Sequence, residues 1–245
     1  MKRKELLISH GIIMRYLCLS FQRRTAPGGL LCAAEKMTGS HPSDFHSDEI
    51  SPEMLPGMMV FRKDFIMAEK KKVVVAMSGG VDSTLTARLL LDQGYEVYGA
   101  TMYQFDGQDE EIEGARKMAE FIGILFKVID VREAYQKFVL NYFIDSYAAG
   151  MTPNPCMMCD FKVKFGLFYD EVRKAFDAPY FATGHYARIV YNPETELFEV
   201  RKGLDIAKDQ SYMMYHLTQE QLSHIIFPLG RTFKKDTRLI SKEKG

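Results

Sequence analysis

The apolar pattern of the chain is clearest at Val73-Val74-Val75-Ala76, a run that suits a strand buried on both faces, followed by Ser78-Gly79-Gly80-Val81-Asp82-Ser83. Beyond it Leu85, Leu89 and Leu90 recur at helical spacing, so the glycine pair lies at a strand-to-helix turn. The alternation continues. Strands are predicted over residues 95–102, after Gly94 in the place of a helix-ending glycine, and over 124–129 and 179–183. Helices are predicted over 110–121, 132–147 and 161–176. Strands separated by helices of this length give an α/β fold with a doubly wound parallel sheet, whose ligands sit at the carboxyl ends of the strands. After Gly184 the pattern changes to a hairpin, 186–191 and 197–201, around Asn192-Pro193-Glu194-Thr195. Two short helices are predicted next; a capping box from Thr218 to Gln221 opens the second, and Phe227-Pro228-Leu229-Gly230 closes it.

The glycine turn carries chemistry. Adjacent glycines let backbone N–H groups converge on an anion with no Cβ in the way, and the following helix adds unpaired N–H groups and the positive end of its dipole. Ser78 and Ser83 add hydroxyl donors, and Asp82 is placed to cap the helix or to reach a metal bound to phosphates. A plain tight turn is the alternative, but it does not account for the flanking serines and the acid. The turn has neither the Gly-Lys-Ser/Thr ending of a Walker A loop nor the three-glycine spacing of a dinucleotide fingerprint.

Of four cysteines, Cys156 and Cys159 form a Cys-x-x-Cys in a proline-containing loop, while Cys18 and Cys32 fall in the first 66 residues. Just ahead of the helix predicted from residue 161, Cys159 is expected to gain thiolate character from the helix dipole and from Lys162 and Lys164, as a nucleophile or persulfide carrier requires. Half of a structural zinc site, a redox disulfide and two buried thiols are the competing readings; no second Cys-x-x-Cys or Cys/His pair lies nearby in sequence. An isolated His185 reads as a partly buried ring satisfied by a carbonyl, and Lys208-Asp209-Gln210 as a solvated turn.

Composition narrows the class. The 245 residues carry 32 basic and 32 acidic side chains, which argues against unspecific coating of nucleic acid. From residue 201 onward nine Lys or Arg face five Asp or Glu, and the part beyond Arg231 reads as a solvated basic tail. No apolar run approaches the roughly 20 residues that cross a bilayer. Residues 1–66, with broken apolar patches and a Ser/His/Pro/Asp stretch, read as a disordered or dispensable extension, with translation expected to start near Met67; neither a secretory signal nor an organelle-targeting peptide fits well.

Ser-Gly-Gly-Val-Asp-Ser after a strand resembles the signature of the N-type ATP pyrophosphatases, which split ATP between the α- and β-phosphates. Downstream, Thr152-Pro153-Asn154-Pro155-Cys156-Met157-Met158-Cys159-Asp160, Ala182-Thr183-Gly184-His185-Tyr186-Ala187-Arg188, and Asp205 with Lys208-Asp209-Gln210-Ser211-Tyr212 together resemble the tRNA-specific 2-thiouridylases, from about Lys72 to Gly230. The resemblance implies a sheet of the adenine-nucleotide α-hydrolase-like (PP-loop) type over residues 67–200, with a tRNA-contacting region starting at 201. It implies ATP and Mg²⁺ held by Ala76, Met77, Ser78, Gly79, Gly80, Val81, Asp82, Ser83, Met102 and Gly184; Met102, at a strand end, is expected to reach adenine through its backbone. Asn154, Pro155 and Cys156 would line the target base, and His185, Lys208, Asp209 and Gln210 would touch the tRNA. Cys159 aligns with the family's catalytic cysteine, whereas Cys156 stands where most members carry Asp and Asp160 where they carry Asn. Cys156 is then an assisting thiol, or with Cys159 part of a [4Fe–4S] ligand set. The implied activity is ATP-dependent 2-thiolation of the wobble uridine in the cytoplasm, with tRNA and a sulfur-donor protein or persulfide carrier as partners. The family's second cysteine, beyond the Phe-Pro-Leu-Gly segment, has no counterpart here, so the chain is expected to be an N-terminal fragment that adenylates tRNA at best. A truncated product that only binds ATP or tRNA, and another tRNA sulfurtransferase of the same fold, are the alternatives.

Overall fold

The computed structural model describes residues 70–243. The readings made of residues 1–66, of Met67, and of Cys18 and Cys32 lie outside the described residues.

Five parallel strands form the central sheet in the order β3-β2-β1-β4-β7. They are β1 (Lys72–Ala76), β2 (Glu96–Tyr103), β3 (Phe126–Asp130), β4 (Tyr180–Ala182) and β7 (Ile225–Ile226), while β5 (Ala187–Asn192) and β6 (Leu197–Lys202) form a separate antiparallel hairpin. The central strand is β1, whose Val73, Val74 and Val75 are fully buried because helices cover both faces of a parallel sheet. Strand order reverses between β1 and β4, so their carboxyl ends open a crevice.

Helix α1 (Val81–Asp92) follows β1, and α2 (Asp109–Ile122) follows β2. Helix α3 starts at Arg132–Tyr135, widens to π geometry over Gln136–Leu140 and continues over Asn141–Ala148. Helix α4 begins at Pro155–Met158, is π-wound over Cys159–Phe168 with a kink at Gly166, and ends as Tyr169–Phe176. Short helices α5 (Gln219–His224) and α6 (Lys234–Glu243) complete the chain. The expected strands and the helices up to Phe176 are present within a few residues, and the capping box at Thr218 forms as predicted. Among the described residues no helix is long and apolar enough to cross a membrane.

Three expectations change. The segment after residue 201 is not separate from the sheet, because β7 pairs with β4 through Phe181–Ile225 and Ala182–Ile226. Residues 206–208 and 211–213, where a short helix was expected, are single 3₁₀ turns. Nor is the end of the chain a solvated tail: α6 packs on α1, where Leu85, Tyr186 and Leu229 form a small core with Leu89 and Ile240 against it. Helix α1 therefore has two apolar sides, with Ala87 and Leu90 toward the sheet and Leu85 and Leu89 toward the C-terminal segment.

Candidate functional site

The loop from Ser78 to Ser83 caps the carboxyl end of β1 and is laced by one hydroxyl. Ser83 Oγ accepts from the Ser78 N–H at 3.2 Å and donates to the Gly80 carbonyl at 3.0 Å, while Ser78 Oγ lies 3.4 Å away. Gly79 takes φ +73°, and a Cβ there would stand 2.9 Å from the Ala115 nitrogen, so the loop lies directly on the α2 backbone. Ser78, Gly80 and Val81 face solvent. Ala76 ends the strand, and Met77 turns its side chain into the core while its N–H donates to the Ala100 carbonyl at 2.7 Å.

Asp82 is not the helix cap. The N-cap is Gly80 without a side-chain bond, and the Asp82 carboxylate instead receives Lys234 Nζ at 2.6 Å, with the Tyr186 hydroxyl 3.1 Å away. Lys234 is the functional candidate that sequence reasoning missed, since it lies 152 residues from Asp82 and only the docking of α6 joins them. Asp205 steadies it by accepting the Lys234 backbone N–H at 2.9 Å. Gly184, just past β4, packs against the start of α1; a Cβ there would meet Asp82 at 3.1 Å and the Ser83 nitrogen at 3.2 Å.

Met102 is the penultimate residue of β2, one short of the strand end where it is expected. The Ala100 carbonyl points to the β1 side, where it accepts from Met77, and the Tyr103 carbonyl points to β3, where it accepts from Val131 at 2.9 Å. Strand alternation then turns the Met102 N–H and C=O toward the β1 side, past the last bond to β1 and above the loop.

The cysteines sit at the start of α4. Asn154 caps that helix by accepting the Met157 N–H at 3.1 Å, and Pro155 occupies the first helical position, so the helix begins before residue 161. The first turn thus holds Cys156, while Cys159 lies one turn further in, within hydrogen-bond reach of Gln104 Nε2 at 3.4 Å. The Asn-Pro pair was the available signal for that earlier start. The cation expected for Cys159 is shared: Lys164 Nζ bonds the buried Asp160 carboxylate, and Lys162 lies over the Phe161 ring at 4.0 Å. Burial would lower the Lys164 ammonium, but Asp160, followed by Cys159, holds it above its usual value. Burial likewise opposes ionisation of Asp160, yet Lys164 and then His185 keep the carboxyl below its ordinary range.

His185, implied as a tRNA contact, lies within the fold. It is 9% exposed, with Nδ1 2.6 Å from Thr183 Oγ1 and its ring against Phe165 and Phe227. Burial, with Lys164 nearby, pushes its pKa down to about 4, so the ring is neutral although Nε2 lies 3.8 Å from Asp160. The unfolded chain takes up this proton near pH 6.5 and the folded chain near 4, so stability falls as pH drops through that window, by on the order of 3 kcal/mol. The Asp160 contribution is lost only at lower pH, below the ordinary carboxylate value. Urea midpoints measured from about pH 7 to about pH 4.5 are expected to fall more steeply for the native chain than for His185→Gln; equal slopes would contradict the buried, neutral ring.

Asp209 and Gln210, implied as tRNA contacts, are half-buried and make hydrogen bonds within the chain. Asp209 Oδ1 accepts from Gly203 and Ser211 N–H groups at 2.9 and 3.2 Å, and Gln210 Oε1 accepts the Tyr186 N–H at 3.0 Å. Lys208, half-buried, ends a 3₁₀ turn. Two shallow cavities of about 370 Å³ lie away from the loop, one under Phe161 and His216 and one beside Asp170 and Pro179. Among the described residues no group of three or more His, Cys, Asp or Glu converges as a metal site. Asp82 offers the carboxylate oxygens that suit Mg²⁺ carried in on phosphates, and both bond Lys234 Nζ here. For a [4Fe–4S] cluster the described residues offer two thiols, Cys156 and Cys159, short of the four that hold such a cluster, so this donor set does not fit it.

Residues 71–245 match the family described as the tRNA methyl transferase HUP domain. A tRNA-specific 2-thiouridylase MnmA of Desulforamulus reducens is 43% identical over 193 residues, covering 73% of this chain and 52% of that protein. The corresponding protein of Treponema denticola is 45% identical over 187 residues, covering 71% and 50%. The chain therefore spans about half the length of the curated relatives it matches. Among solved structures, the U34-tRNA thiolase NcsA from Methanococcus maripaludis with its [4Fe-4S] cluster aligns at 18% identity and a TM-score of 0.46, over 72% of this chain and 58% of that one.

Proposed function

The chain belongs to the tRNA methyl transferase HUP domain family, and from that membership and the site geometry we propose that it binds Mg·ATP and activates the wobble uridine of tRNA for 2-thiolation. What supports the reading most is that the loop and the cysteine turn share one sheet edge: Gly184 packs on Asp82 after β4, and Gln104, after β2, reaches Cys159. The C-terminal ends of adjacent strands are where a nucleotide and its acceptor meet in such folds.

In the proposed reaction the loop N–H groups at Gly79 and Gly80, the Ser78 hydroxyl and Lys234 hold the triphosphate, and the Met102 backbone faces adenine. Mg²⁺, held on the phosphates beside Asp82, offsets charge on the departing pyrophosphate. The uridine turns out of the anticodon stack toward Asn154-Pro155-Cys156, as base-modifying enzymes require. Its C2 oxygen attacks the α-phosphorus and the bond to the β-phosphate breaks, leaving C2 an electrophile with AMP as leaving group. The proposed reaction goes beyond the adenylation to which the sequence reading limited the chain: with no second cysteine after the Phe-Pro-Leu-Gly segment, a sulfur-donor protein loads Cys159 itself as a persulfide, whose terminal sulfur attacks C2 and expels AMP. The Cys156 thiolate then attacks Cys159 Sγ, releasing the 2-thiolate and leaving a Cys156–Cys159 disulfide for a dithiol to reduce. We assign this work to the cytoplasm, where ATP and tRNA meet. In this scheme the unit runs from about residue 67, and the segment from 201 serves it by delivering Lys234 to the loop.

The test is pyrophosphate release and 2-thiouridine formation on unmodified tRNA with ATP and a persulfide donor. Pyrophosphate release is expected to require tRNA with a uridine at the wobble position. Cys159→Ala is expected to keep that release and lose 2-thiouridine at least about 100-fold, as removal of a nucleophile does. Release that ignores tRNA would overturn the assignment of substrate, and full thiolation by Cys159→Ala would overturn the role of the cysteine.

A further inference from the structure

Gln104 stands immediately after β2, two residues beyond Met102, and its side chain crosses to the cysteine turn. Its Nε2 lies 3.4 Å from Cys159 Sγ, a reasonable distance for an N–H donor to sulfur. The neighbouring contacts fix which way the amide faces. The Gln104 backbone N–H donates to Gln108 Oε1 at 2.8 Å, and Gln108 Nε2 approaches Gln104 Oε1 at 3.5 Å. With its oxygen turned toward Gln108, the NH₂ group is the end left for the sulfur. Gln108 is in turn the residue at the N-terminal boundary of α2, the helix on which the Gly79 turn rests.

We propose that Gln104 is a positioning residue for Cys159, a hydrogen-bond donor that favours its thiolate and holds it at the nucleotide edge of the sheet. The proposal rests on the reading of Cys159 as the reacting cysteine. An anionic sulfur accepts an N–H far better than a neutral thiol does, so a fixed donor shifts the thiol equilibrium toward the anion. The charges around the sulfur come from several elements. Lys164 and Asp160 share α4 with it and largely neutralise one another. Tyr212, on the 211–213 turn, feels Cys156 and Asp160, and the neutral His185 sits behind Asp160. With the lysine divided in this way, an amide donor from beyond the end of β2 has leverage on the cysteine. It also links the two halves of the chemistry, since Gln104 continues the strand whose Met102 backbone faces the nucleotide side.

The experiment uses the full 245-residue chain and needs neither tRNA nor ATP. Iodoacetamide alkylation is followed between about pH 6 and 9, and the Cys156 and Cys159 peptides are quantified separately by mass spectrometry. Gln104→Met keeps the side-chain length without a donor, and Gln104→Glu puts an acceptor and a charge there. In Gln104→Met the Cys159 midpoint is expected to rise by about one pH unit, so that alkylation below it slows about tenfold, with Cys156 unmoved. Gln104→Glu is expected to raise it further. An unchanged Cys159 profile in Gln104→Met would overturn the proposal, as would equal shifts at both cysteines, which signal general disturbance of the turn. Failure here leaves tRNA-dependent pyrophosphate release intact, whereas failure of the wider functional reading appears in that release and not in the alkylation profile.

Discussion

Gly80→Val is expected to reduce Mg·ATP affinity by about 100-fold or more, equivalent to about 2.7 kcal/mol, while leaving the melting temperature essentially unchanged. The two effects separate because of where Gly80 points. Its φ of −88° and ψ of 162° suit a β-branched residue, and a Cβ there would meet nothing closer than Ser78 Oγ at 3.5 Å. The added isopropyl group therefore does not strain the fold; it occupies the solvent-facing mouth of the loop where phosphate oxygens would approach the N–H groups. Gly79→Val makes the contrast. At φ +73° and 2.9 Å from the Ala115 nitrogen, that side chain strains the loop and presses on α2, at a cost of roughly 1–3 kcal/mol, so both melting temperature and nucleotide binding are expected to fall. Calorimetric titration with Mg·ATP and thermal melts of both variants check this. A Gly80→Val protein that binds ATP like the native chain would show that the turn is only a turn.

The largest stability loss is expected from Gly230→Ala. A Cβ at residue 230 would stand 1.8 Å from the Ala187 carbonyl oxygen and 2.7 Å from its carbon, so the hairpin and the 228–231 turn cannot both keep their places. The turn anchors Leu229, which is fully buried, and the Gly230 carbonyl accepts the Leu204 N–H at 2.9 Å. Loss of about 3 kcal/mol or more is expected, in the range of a severe overpacking change. Hydrogen exchange over residues 228–243 reports the consequence directly. If the turn lifts, α6 leaves α1 and Lys234 leaves Asp82, so exchange rises there while β1 and β2 stay protected, and Mg·ATP affinity falls with it. Native-like exchange and melting in Gly230→Ala would contradict the packing of this segment.

Much of this molecule was written locally in its sequence. The run of valines in β1, the glycine and serines of the loop, the periodic apolar positions of α1 to α4 and the capping box at Thr218 each depend on residues a few positions apart, and such signals survive without tertiary context. They placed the loop at the end of β1 and put Cys156 and Cys159 at the head of a helix, although the Asn154-Pro155 start that moved Cys156 into the first turn went unread. The tertiary structure decided which charges meet. Asp82 looked like a cap until α6 brought Lys234 to it across 152 residues, and α6 itself looked like a solvated tail because so short and charged a helix gains its order from packing on α1. Lys164 looked like the cation of Cys159 until the burial of Asp160 bound it, and Gln104, without any local signal, reached the sulfur from beyond the end of β2. The family resemblance implied tRNA contacts for His185, Asp209 and Gln210; folding buries the first and leaves the other two half-buried, and each has a hydrogen-bond partner within the chain. Local pattern sets which element a residue joins; partnership between residues far apart in sequence is fixed only when the sheet, α4 and the C-terminal segment close on one another.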